Sequence, residues 1–166
     1  MVKFPRVFTG LWAFHKAFYG LIRRLQTTVE HMRVRNDTAE TTALVRGEVI
    51  SLTSGRRQAV RADASAVTGA YPWVGVMTEG TDYHATGIAR INGYGYVLFD
   101  EALDPAPAPG DIVYLSETPG RATNVAPKTE GAYVQRIGIV GDDTPYATAN
   151  AAWVWLYHCC APTEAD

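Results

Sequence analysis

Cysteine is nearly absent from this chain. Cys159 and Cys160 are the two it has, adjacent and preceded by His158. Neighbouring cysteines bridge only through a strained ring, and a disulfide-stapled secreted scaffold is excluded by count. Two thiols and one histidine, with no Cys-x-x-Cys elsewhere, do not make a four-ligand zinc site; packing at a strand end is the plainer reading. Charge is scarce too, at 19% of residues against 47% apolar, which excludes a disordered chain and leaves a globular one. Long apolar runs are missing. The nearest approach, Val7 to Ile22, carries His15 and Lys16 in its middle and falls short of the roughly 20 residues a membrane span needs. No small-residue cleavage site follows it, so a cytosolic product with no membrane partner is expected.

Motifs of chemistry are also lacking. There is no Gly-x-Ser-x-Gly, no Walker loop and no His-Glu-x-x-His. Gly93-Tyr94-Gly95-Tyr96 lacks the third glycine and the following helix of a dinucleotide fingerprint. His15, His31, His84 and His158 share no ligand spacing. Asp100-Glu101 sit next to each other on an expected strand, so they point to opposite faces and cannot flank one glycosidic bond. Asp142-Asp143 reads as a turn. No enzyme, no metal and no cofactor is expected.

What is present favours strands. The 166 residues suffice for one domain with its own core. Gly, Thr and Val punctuate the body, a composition of strands and tight turns. Strands are expected over 43–50 and 73–77. Ile88-Ala89-Arg90-Ile91, then Asn92-Gly93, then Tyr94 to Phe99 has the form of a type I′ hairpin, in which both turn residues need positive φ. Further strands are expected near 112–115, 122–125, 134–140 and 153–158. Gly55-Arg56-Arg57 reads as a turn. Asp104 to Gly110, with proline at every second position, reads as a stiff connector. Short strands spaced by turns make the body, residues 41–166, a small β-barrel or β-sandwich.

The first 40 residues read differently, as a basic arm. Residues 10–34 have the pattern of a long amphipathic α-helix: Leu11, Phe14, Phe18, Leu21, Leu25, Thr28 and Met32 alternate spacings of three and four. Thr9 suits an N-cap and Asn36-Asp37 a stop. Gly20 costs such a helix about 1 kcal/mol against alanine. The helix either lies on its own β-body or is buried between subunits or in a partner. Trp12, Ala13, Ala17, Tyr19 and Ile22 widen the apolar stripe beyond what one face covers, which favours the second. Residues 1–36 carry a net +6 and the rest of the chain −8. A basic arm on an acidic body seeks an acidic surface. Lys16, Arg23, Arg24, Arg33 and Arg35 are therefore expected to meet carboxylates, and the apolar stripe from Leu11 to Met32 to carry oligomerisation or docking. Nucleic acid is not the expected partner, because the body is acidic and the pI is near 6.1.

One stretch resembles a known pattern. Gly110-Asp111-Ile112-Val113-Tyr114-Leu115-Ser116, Pro119-Gly120-Arg121-Ala122-Thr123, Ala126-Pro127 and Val134 to Val140 are similar to small β-barrel modules of bacteriophage virion proteins, namely head decoration proteins and head or tail fibres. The match spans 31 of the 166 residues and leaves out the arm. It implies strand, turn, strand, strand. The residues read by themselves agree: Gly138 between Ile137 and Ile139 allows close backbone approach, and Tyr114 offers a large half-buried ring. It also implies a viral structural protein in the virion, assembled in the host cytoplasm. That protein would be a capsid decoration or cement protein bound to the major capsid protein or another virion protein, as a homotrimer. A head-fibre, tail-fibre or tail-adaptor piece is the alternative, but these residues hold no long repetitive shaft. A carbohydrate-binding module would cluster aromatics on one exposed face. Trp73, Trp153 and Trp155 alternate with aliphatics and read as half-buried instead.

Overall fold

A computed structural model describes residues 31–36, 42–53, 58–65, 73–100, 106–141, 150–157 and 163–164. They belong to one compact unit, His31–Asp166. Twelve strands follow in order: β1 (His31–Asn36), β2 (Val49–Thr53), β3 (Gln58–Arg61), β4 (Gly75–Met77), β5 (Thr86–Arg90), β6 (Gly93–Leu98), β7 (Ile112–Leu115), β8 (Ala122–Thr123), β9 (Tyr133–Val134), β10 (Arg136–Val140), β11 (Ala151–Leu156) and β12 (Thr163–Glu164). No helix occurs among the described residues. The fold is mainly β, as the composition suggested.

The first five strands close into a barrel in the order β1-β3-β2-β4-β5. Its interior is filled by Val34, Leu44, Ile50, Ala59, Met77 and Ala89. The next strands form a five-stranded sheet in the order β6-β11-β10-β7-β8, curled so that Phe99 bridges Ala122. Strand alternation sends Val97, Ala152, Val154, Leu156, Ile137, Val113 and Leu115 to one face. There they share a second core with Val49, Ala62, Trp73 and Val76 from the barrel side. Trp73 is buried, and its backbone N–H donates to Gln135 Oε1 at 3.0 Å, a fastening between the two regions. β9 and β12 pair separately.

A charged pair fastens the barrel. Glu48 is buried, and its Oε1 accepts from Arg61 Nε at 2.9 Å while Oε2 accepts from the Val45 N–H at 2.9 Å. Arg61 also donates to Thr42 Oγ1 and the Ala43 carbonyl, tying the 42–48 segment onto β3. A charge this buried is tolerable only when its remaining hydrogen bonds are made.

Three expectations need correction. The helix does not run to residue 34. His31–Asn36 is a strand, antiparallel to β5 and parallel to β3. In His-Met-Arg-Val-Arg-Asn the basic residues face out while Val34 and Asn36 are buried and Met32 packs on the barrel core. That period of two overrides the three-and-four spacing that reaches Met32. Asn36 is no helix stop; its Nδ2 donates to the Thr42 and Thr81 carbonyls at 3.1 Å. Residues 10–30 lie outside the described residues.

The strand expected over 43–50 is broken. Gly47 stands at φ +88° in a turn, and Leu44 makes only an isolated bridge to Thr81 before β2 begins. The Asn92-Gly93 hairpin does not form either. Gly93 has φ +86° but Asn92 does not share it, and Asn92 Oδ1 accepts from the Gly93 N–H. A type I′ turn needs both residues positive. Here the chain leaves the barrel at β5 and enters the second sheet at β6, which pairs with β11. The strands expected near 112, 122, 134 and 153 all occur, with bounds shifted by a few residues. Gly138 behaves as its sequence suggests: a Cβ there would lie 2.4 Å from the Trp155 carbonyl oxygen.

Candidate docking surface

The outer face of the second sheet is aromatic. In β6, Tyr94 and Tyr96 point away from the core because Gly95 and Val97 point into it. In β11, Trp153 and Trp155 do the same while Ala152, Val154 and Leu156 are buried. Register brings them together: Tyr96 lies opposite Trp153, and Tyr94 opposite Trp155. Tyr94 stacks on Trp153 with centroids 5.2 Å apart and 17° between planes. It tilts against Trp155 at 4.8 Å, and Tyr96 meets Trp153 edge-on at 6.0 Å. Such cross-strand aromatic pairs each add roughly 0.2–1 kcal/mol to a sheet. A Cβ on Gly141 would overlap the Tyr94 ring, so a bare backbone seats that ring.

The stack does not bury itself. Trp155 is 57% exposed and its neighbour across the strands, Ile139, 38%. Two cations border it. The Arg46 guanidinium lies 5.0 Å from the Tyr96 ring centroid and 6.0 Å from that of Trp153. Arg90 reaches His31 Nε2 at 3.0 Å. Between them lies a cleft of about 150 Å³ with Thr78, Tyr94, Tyr96 and Trp153 in its walls and no carboxylate among the described residues lining it. That volume holds one ring-sized group. Chemically the surface offers ring faces, apolar edge and positive charge.

The residues expected to carry docking are placed as follows. Leu11, Phe14, Phe18, Leu21, Leu25, Lys16, Arg23 and Arg24 lie outside the described residues. Met32, Arg33 and Arg35 are in β1, with Met32 half-buried against the barrel core and both arginines on the barrel's outside. His158, Cys159 and Cys160 also lie outside the described residues. Asp100, the first of the adjacent carboxylates Asp100-Glu101, accepts from Ser116 Oγ at 3.1 Å and Thr118 Oγ1 at 2.6 Å.

The aromatic face was missed because the tryptophans were read singly. Trp153 is half-buried as expected, but Trp73 is fully buried and Trp155 exposed. The signal was present in Tyr94-Gly95-Tyr96 and Trp153-Val154-Trp155, two aromatic pairs at period two. Only their registration makes one surface. No family model matches this chain, and neither a curated protein nor a solved structure does.

Proposed function

We propose that this chain is a non-enzymatic structural protein of a bacteriophage virion, decorating and cementing the assembled capsid shell. The observation that carries the reading is the exposed face of Tyr94, Trp155 and Ile139 beside Arg46 and Arg90. Tryptophan, tyrosine and arginine dominate the energetics of protein contacts, and single chains seldom leave such patches bare. The stretch that resembles phage particle modules supplies β7, β8 and β10, three strands of the sheet bearing this face.

In this reading the basic arm meets the shell. Leu11, Phe14, Phe18, Leu21 and Leu25 supply apolar contact, and Lys16, Arg23 and Arg24 meet carboxylates of the major capsid protein. A protein that binds the shell and not its separated subunits stabilises the shell by about 2.7 kcal/mol per site at a hundred times Kd. Particles carrying the protein should release their genome at a higher temperature than particles stripped of it. Equal release temperatures, with the protein shown to be bound, would rule out cementing. Phe14→Asp with Phe18→Asp should abolish binding to particles, and added salt should slow it, since exposed charges are screened beyond about 8 Å at physiological strength.

A second reading has its own observation. Aromatics clustered on an exposed face are what a carbohydrate-binding module requires, and Trp155 and Tyr94 meet that requirement. Saccharide binding by the purified protein, lost in Trp155→Ala, would favour it over the shell.

A further inference from the structure

Among the described residues, the charge on the aromatic face is positive. The outward side chains of β6, β11 and β10 are Tyr94, Tyr96, Leu98, Trp153, Trp155, Ile139 and Arg136, with no carboxylate among them. Whatever seats on it should bring apolar contact with carboxylates at its margin. The same molecule presents such a surface elsewhere. Asp100, Glu117, Val125, Pro127 and Lys128 line an open groove of about 490 Å³ at the other end of the sheet. Val125 is 43% exposed there. Two carboxylates stand against one ammonium, and the hydroxyls of Ser116 and Thr118 hold the Asp100 carboxylate in place. Asp100 lies six residues beyond Tyr94 along an extended chain, about 20 Å at 3.3 Å per residue.

We infer that the aromatic–arginine face docks a second copy of this chain, head to tail, on its Asp100–Glu117–Val125 groove. Charge complementarity selects this occupant, and the exposed Val125 gives Trp155 an apolar counterpart. The two patches differ in composition, so each contact pairs a face with a groove. Such contacts are made twice across a two-fold axis, or once per copy around a ring or along a filament.

The full-length protein tests this without any partner. Sedimentation should show a self-associated form of the 18.1 kDa chain. Arg46→Glu and Glu117→Arg should each weaken association by about a hundredfold or more, because each sets like charges face to face. Combining them in one chain restores opposite signs and should restore association, which a merely misfolded variant would not do. Mixing is the sharper measurement. A chain bearing Arg46→Glu and Trp155→Asp has a damaged head and an intact tail. One bearing Glu117→Arg and Val125→Asp has the reverse. Their mixture should stop at a dimer of one chain of each kind, since only one intact head and one intact tail meet.

A parent chain that stays monomeric at tens of micromolar overturns the inference. If that monomer binds polygalacturonate, the face belongs to acidic saccharide instead. An oligomer indifferent to all four substitutions also overturns it and moves the contact to the arm. Neither result bears on shell stabilisation, which the release temperature of particles measures separately.

Discussion

The barrel and the open sheet use the same alternation of side chains to opposite ends. The barrel closes on itself, so its five strands hide their edges and their inward residues fill a small core of Val34, Leu44, Ile50, Ala59, Met77 and Ala89. Outside, β1 shows His31, Arg33 and Arg35 to solvent. The second sheet buries one face against the barrel's flank and leaves the other in water, and there it places Trp155 and Ile139 where β1 places arginine. Solvation accounts for the arginines of β1, although the barrel also exposes Ile88 at 38%. It does not account for the Trp155 ring, 57% exposed and apolar over both faces. The proposed contact therefore rests on the aromatic stack of the sheet.

That division can be broken at its joint. Trp73→Ala removes the ring shared by both regions and should cost about 3–5 kcal/mol. At roughly 2–4 °C per kcal/mol for a chain this size, thermal unfolding should come about 6–20 °C earlier, with barrel and sheet lost in one transition. Two separate transitions would show that the regions are independent. Glu48→Ala strikes the barrel alone. It strands Arg61, 17% exposed, without its carboxylate, and should cost about 3 kcal/mol in urea unfolding. Gly138→Ala strikes the sheet alone. The new methyl meets the Trp155 carbonyl and Val154, so β10 and β11 must part, at about 1–3 kcal/mol. Hydrogen exchange should quicken at 136–140 and 151–156 and stay unchanged in β2 and β3; equal loss in both would contradict the division. Trp155→Ala should change the stability of the separated chain by only about 0.5 kcal/mol, as surface substitutions do. It should still abolish self-association, and a large stability loss with association intact would make Trp155 a core residue.

Much of the fold was legible because strand signals are local. Ile112 to Leu115 alternates by period two and folds as β7; Gly138 between two isoleucines marks a close approach, and the Trp155 carbonyl is what approaches. Where local signals competed, tertiary pairing decided. Met32 fits a helical stripe and a strand equally well by spacing. Partners on both sides, in β5 and β3, made His31–Asn36 a strand. Asn92-Gly93 resembles a hairpin turn, yet its flanking strands found better partners in β1 and β11.

By itself, the sequence determined that this chain is β-rich and charge-segregated, with a basic first stretch and an acidic remainder. Those properties follow from composition and short-range periodicity, which act through neighbours in the chain. Only the tertiary structure decided that Tyr94, Tyr96, Trp153 and Trp155 form one surface bordered by Arg46 and Arg90. The tyrosine pair and the tryptophan pair come from segments more than fifty positions apart, and a single step of register between β6 and β11 would turn the aromatic side chains of either strand into the core.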